Sequence, residues 1–239
     1  MSGLRAERDG PVTRLTLDRP DKANALDDAL VEALLAAVAA AERDGTRLLA
    51  FHPGTKNLSA GFDFSDAETA TDGGLLRRFV RIEQLLQAVW HAPFATIAFA
   101  HGRNFGAGAD LFVACDVRVA APGTTFRMPG LRFGLQLGTR RLAQRIGNDA
   151  ARALLADSST LDADRAAALR FATHVAAPSE WAGLLAIERD RARALAPDAA
   201  IRLRAATVAD TRAADMADLV ASVTEPGFKA RIAAYRSGG

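Results

Sequence analysis

Two short stretches of small residues carry the chemistry available to this chain: Ser59-Ala60-Gly61-Phe62-Asp63 and Gly106-Ala107-Gly108-Ala109-Asp110. Such side chains leave backbone N–H groups unshielded, and the second stretch opens a helix, where unpaired N–H groups and the dipole favour negative charge. Amides from both stretches can therefore donate to an oxyanion. Each stretch ends in a carboxylate. Asp63 has the place of a residue that orders its own turn, whereas Asp110 either complements a helix start or moves a proton. The run Gly106-Ala107-Gly108 is not a dinucleotide fingerprint, because Leu111 stands where the third glycine is needed. The four histidines, His52, His91, His101 and His174, lack metal-ligand spacing, and Cys115 is the single cysteine. No metal and no separate cofactor are expected, and His101 is expected to pack beneath the second turn. Arg127, Arg132, Arg140 and Arg141 form a basic run read as a solvated, salt-bridged face, with pairing to a substrate carboxylate or phosphate as the alternative.

Each stretch needs a strand to deliver it. Val12 to Leu17 alternates as a strand and is stopped by Pro20. Leu26, Leu30, Leu34, Val38 and Ala41 recur at helical spacing and predict a helix running to about Arg43. Arg47 to Phe51 is a short apolar strand feeding the first stretch. Leu75 to Trp90 predicts an amphipathic helix halted by Pro93, and Phe94 to Ala100, apolar throughout, predicts a doubly buried strand feeding the second. Leu111 to Cys115 continues the helix begun there, Asp116 to Ala120 alternates as the next strand, and an irregular Gly-rich segment precedes a helix from Thr139 to Ile146. From Asp149 the chain is Ala- and Arg-rich with helical periodicity, and Leu184, Leu185, Ile187 and Leu195 are expected to form a buried stripe. A boundary near Ala176 to Glu180 separates a core domain, residues 1–177, from a helical C-terminal segment, residues 178–239.

The chain has 239 residues, 49% apolar and 24% charged, the balance of a globular protein with a full core. Its 30 basic and 28 acidic side chains nearly cancel, which argues against a nucleic-acid partner. No apolar run reaches the ~18 residues of a membrane span. Met1 to Gly10 lacks the apolar centre of a secretory signal, so a soluble protein of the cytoplasm is expected.

Several weak motifs in order make a stronger pattern. Val12 through Pro20 with Asn24-Ala25-Leu26, then Asn57 to Asp63, then Pro93 to Val119, then Arg127-Met128-Pro129 and Gly134-Leu135 resemble the crotonase (enoyl-CoA hydratase/isomerase) superfamily, and the likeness spans residues 10 to 177. The resemblance implies an α/β fold, a crotonase-like (ClpP/crotonase) spiral of ββα units with a helical C-terminal segment used for oligomerisation, assembled as a homotrimer or homohexamer. It implies an acyl-CoA thioester substrate, with coenzyme A carried as part of that substrate. By the same likeness, the N–H groups of Ala60 and Ala107 hold the thioester oxygen, Gly61, Phe62 and Asp63 line the acyl-CoA path, and Asp110 shuttles a proton. The family usually has glycine at the position of Ala107. Its hydratases present two glutamates, where this chain has Asp110 and Gly130. A hydratase or isomerase is implied, with the two-carboxylate hydration unsupported. The alternatives are decarboxylation or C–C cleavage of a thioester, with Arg127 or Arg132 orienting a second carboxylate, or a non-catalytic acyl-CoA binder.

Overall fold

Apolar residues at successive positions of the central strands fill both faces of one sheet, and the two faces bury different partners. In chain order the strands are β1 (Leu4–Asp9), β2 (Val12–Leu17), β3 (Leu48–Pro53), β4 (Ala95–Ala100), β5 (Arg103–Phe105), β6 (Val117–Ala120), β7 (Thr125–Arg127), β8 (Leu161–Asp162) and β9 (His174–Val175). The helices are α1 (Asp28–Ala41), α2 (Asp72–Trp90), α3 (Ala107–Ala114), α4 (Thr139–Ile146), α5 (Asn148–Asp157), α6 (Ala163–Ala168), α7 (Trp181–Ala194), α8 (Pro197–Thr207), α9 (Arg212–Thr224) and α10 (Phe228–Ser237). The protein is known here from a computed structural model, which describes residues 2–238.

The main sheet has the order β1-β2-β3-β4-β6-β9, and only the β1–β2 pair is antiparallel. A smaller sheet of order β5-β7-β8 lies apart from it. Side chains alternate across a strand. On β3 and β4, Leu48, Ala50, Ile97 and Phe99 therefore face Trp181 and Leu185 of α7, while Leu49, Phe51, Ala98 and Ala100 face the main core with α1, α2 and α3. This double burial is why β4 reads as an unbroken apolar run.

The observed elements follow the main expected ones between β2 and α4, but the short β5 and β7 fall where turn and irregular chain were expected, and β8 and β9 interrupt the stretch after Asp149 expected to be helical. Helix α1 starts at Asp28, because Asp27 caps it by accepting from the Leu30 N–H and Leu26 is taken by a bridge to Phe62. Strand β1 was not foreseen: five of its six residues are exposed, and only its register with β2 makes it a strand. The expected buried stripe of the C-terminal segment is only partly formed. Leu185 is buried, but Ile187 and Leu195 are 50% and 43% exposed. Leu219, Val223, Phe228 and Ile232 from α9 and α10 join the main core, while α8 buries no residue.

Candidate active site

The chain after β3 is shaped by buried amide side chains. Asn104 Oδ1 accepts the N–H groups of Leu58 and Ser59 at 2.9 and 3.2 Å, and its Nδ2 donates to the carbonyls of His101 and Gly102 at 3.1 and 3.3 Å. Asn24 donates to Asn57 O at 2.9 Å, and Asn57 donates to Ala23 O at 2.8 Å. Ser59 Oγ donates to Asn24 O at 2.7 Å and accepts the Gly61 N–H at 3.1 Å. The turn is thus fixed by groups on both sides of it. Gly61 has φ +89°, and a methyl there would overlap Phe105 O and stand 3.3 Å from Ala107 N. Glycine is needed on both counts. The two small-residue turns lie backbone against backbone.

Which amides remain free is decided by that packing. The Ala60 N–H donates to Ala23 O at 3.0 Å, so it is already engaged and the expectation that it serves as an oxyanion donor is corrected. Phe62 sits in a parallel bridge with Leu26, in which Leu26 N–H donates to Gly61 O at 2.7 Å and Asp63 N–H donates to Leu26 O at 3.2 Å. That pattern turns the Phe62 N–H to the opposite side, where it meets no acceptor among the described residues. On the other turn, Gly106 at φ +49° caps α3 without a side chain, and its own N–H donates to Arg127 O at 2.8 Å. Ala107 N–H, the first of the helix, has no acceptor among the described residues. Phe62 and Ala107 both line the same cavity.

The cavity holds about 240 Å³ and is walled mainly by Phe62, Phe64, Phe79, Phe105, Phe133 and Tyr235, the last from α10. Among the described residues Asp110 is the only carboxylate lining it. Helix α3 is buried along its whole length, which carries Asp110 into the interior. Its carboxyl rests on Gly138, where a methyl would overlap Oδ1, and Oδ1 has no hydrogen-bond partner among the described residues. Burial pushes its pKa up to about 8, Arg141 pulls against that rise, and Glu83 adds to it. A carboxyl tuned in this way can take or release a proton near neutral pH.

The remaining expected residues are dispersed. Gly61 and Asp63 do not line the cavity. Asp63 instead accepts from the Ser65 N–H and hydroxyl at 3.0 and 2.6 Å and pairs with Arg19 at 3.3 Å. Burial alone would raise its pKa, but Ser65 and Arg19 hold it below the ordinary carboxylate range. Gly130 does line the cavity, and a methyl there would lie 2.9 Å from Leu135 O, whose residue donates its N–H back to Gly130 O at 2.9 Å. Its missing side chain satisfies that tight loop. Arg127 donates to Ser158 O at 2.9 Å and Arg132 to Asp157 O at 3.3 Å, both away from the cavity. Arg141 corrects the solvated-face reading outright, because it is 2% exposed. His101 bonds Thr55 O at 2.6 Å and lies 5.8 Å from the Trp181 ring, outside the cavity lining. The site residues missed from sequence are Phe62 as an amide donor, Asn24 and Asn104 as braces, and Tyr235 as a wall. A buried asparagine has no spacing that marks it.

Comparison with known proteins gives one answer. A family model described as enoyl-CoA hydratase/isomerase matches residues 7–224. A probable enoyl-CoA hydratase of Mycobacterium leprae is 32% identical over 181 residues, covering 72% of this chain and 71% of the relative. A human mitochondrial protein named for its enoyl-CoA hydratase domain is 31% identical over 215 residues, covering 87% and 73%. A crystal structure from Bordetella parapertussis, described under enoyl-CoA hydratase/isomerase, superposes with TM-score 0.97 at 47% identity over 98% of both chains. An enoyl-CoA hydratase from Bacillus halodurans, at 19% identity, shares the fold with TM-score 0.85 over 97% of this chain and 99% of that one.

Proposed function

The chain belongs to the enoyl-CoA hydratase/isomerase family and has its crotonase fold, and on that premise we propose that it shifts the double bond of an enoyl-CoA thioester by moving one proton. The observation that carries this reading is Asp110, the one carboxylate among the described residues that line the cavity. In the proposed complex the thioester oxygen lies between the N–H groups of Phe62 and Ala107. As the α-proton leaves, negative charge gathers on that oxygen, and preorganised donors in a dry site are worth about 3–4 kcal/mol each there. Asp110 takes the proton and returns it further along the chain.

Water addition needs a second group to activate the water, and Gly130 supplies none. The decarboxylation reading calls for a cation facing the acyl group, and Arg127 and Arg132 are instead tied to the carbonyls of Ser158 and Asp157. An apolar, aromatic-walled cavity suits an uncharged acyl chain. Assembly as a trimer or hexamer through the C-terminal helices is part of the same proposal.

Asp110→Asn tests it. The expected result is that 3-enoyl-CoA isomerisation falls by about 10²-fold or more, with little crotonyl-CoA hydration in the wild type. Undiminished isomerisation in the variant defeats the assignment of the base. Tight thioester binding without turnover would instead select a non-catalytic acyl-CoA binder.

A further inference from the structure

The charges of Arg141 and Glu83, neither of which lines the cavity, act on the Asp110 carboxyl. Helix α4 begins just after Gly138, on which Asp110 rests, and Arg141 follows within its first turn. The guanidinium grips Glu83 of α2 at 2.9 and 2.5 Å and reaches Asp215 of α9 at 3.3 Å. Glu83, Arg141 and Asp215 are all buried. Asp215 is held in turn by Thr211 at 2.7 Å and Arg140 at 3.1 Å, and Arg140 pairs with Asp218 at 2.6 Å. At the far end of α2, His91 lies 4.0 Å from Asp210. Among the described residues the buried Arg141 Nε has no hydrogen-bond partner, nor has Asp110 Oδ1 on the neighbouring helix.

Burying such ions has a large desolvation cost, and apolar side chains of similar volume stabilise a core at least as well. A reason beyond stability is therefore needed. We propose that Arg141, clamped by Glu83 and Asp215, is a positioning residue of this site: a fixed positive charge that makes the anionic form of Asp110 accessible during proton transfer. The inference rests on Asp110 being the group that moves the proton. With a 3-enoyl thioester, the Asp110 carboxylate takes the C2 proton and the C–H electron pair passes into an enolate on the thioester oxygen. The carboxyl then returns that proton to C4 as the enolate collapses, so nothing is oxidised or reduced. Asp110 changes charge twice in that cycle while Arg141 keeps its own. Glu83 limits the net positive field, which would otherwise leave an Asp110 anion too weakly basic to take the proton.

The test titrates Asp110 itself in the full chain, by infrared difference spectra of its carboxyl band with Asp110→Asn as the blank, so no turnover is required. Glu83→Gln is expected to lower the midpoint and Arg141→Met to raise it, each by about one pH unit. Midpoints that do not move, or that move in the same direction, overturn the proposal. If either variant fails to fold, Asp215→Asn leaves the Arg141–Glu83 pair intact and must still lower the midpoint; no change there also overturns it. Midpoints that move as expected in a protein that does not isomerise 3-enoyl thioesters leave the role of the cluster standing and refute the assigned reaction instead.

Discussion

Asp110 carries its burial as a pH-dependent cost. Its pKa rises from an ordinary 3.8 to about 8, so between those values the folded chain holds a proton that the unfolded chain releases. Stability from this group is fully present below pH 4 and is lost as pH rises towards 8, by at most about 1.4 kcal/mol per pH unit. Asp110→Asn removes the titration. Urea unfolding at pH 5, 6, 7 and 8 should show the variant gaining on the wild type at each step; a constant gap would mean that Asp110 does not titrate in this range. Asp63 has the opposite sign. Its depressed pKa contributes stability above the unfolded value and loses it as pH falls through the folded one.

At the level of elements, the site is a contact between two turns, and Asn104 is the brace that sets it. It makes four hydrogen bonds from the strand of one turn to the backbone of the other and to its own loop. Asn104→Ala leaves the Leu58 and Ser59 N–H groups buried without an acceptor, at about 1–3 kcal/mol for each unsatisfied group. The expected outcome is a protein less stable by about 2–6 kcal/mol that binds a short acyl-CoA at least tenfold more weakly, measured by urea unfolding and calorimetry. Unchanged affinity in a folded variant would show that the first turn does not meet the thioester. Alanine at position 107 keeps its backbone N–H, and the residue lines the cavity.

For the whole molecule, the C-terminal helices divide their work. Helices α9 and α10 complete the core and supply Tyr235 to the cavity, whereas α8 exposes Ile201 and Leu203, at 44% and 54%, and is anchored by Arg204 to Ala92 O at 2.7 Å and to Asp116. Exposed apolar side chains on an anchored helix suit contact with a second subunit. Leu203→Glu is expected to shift the solution mass, read by light scattering after size exclusion, from the proposed trimer or hexamer towards the monomer. A wild-type monomer would remove the basis for that assembly.

The sequence alone determined the main strands and helices from Val12 to Ile146, apart from the short β5 and β7, together with the two small-residue turns and their family, because apolar periodicity and the need for small residues are local properties of the chain. It also placed Ala107 and Asp110 at the start of a helix, which the structure then shows to be buried. Tertiary structure alone decided which amides are free: Ala60 is satisfied by Ala23, and Phe62 is turned outward by Leu26, each more than thirty residues away along the chain. It decided that Arg141 is an interior cation, through carboxylates 58 and 74 residues away. It also made β1 a strand without an apolar pattern. Hydrogen-bond occupancy and burial of charge depend on what meets a group across the fold, and no local pattern records that.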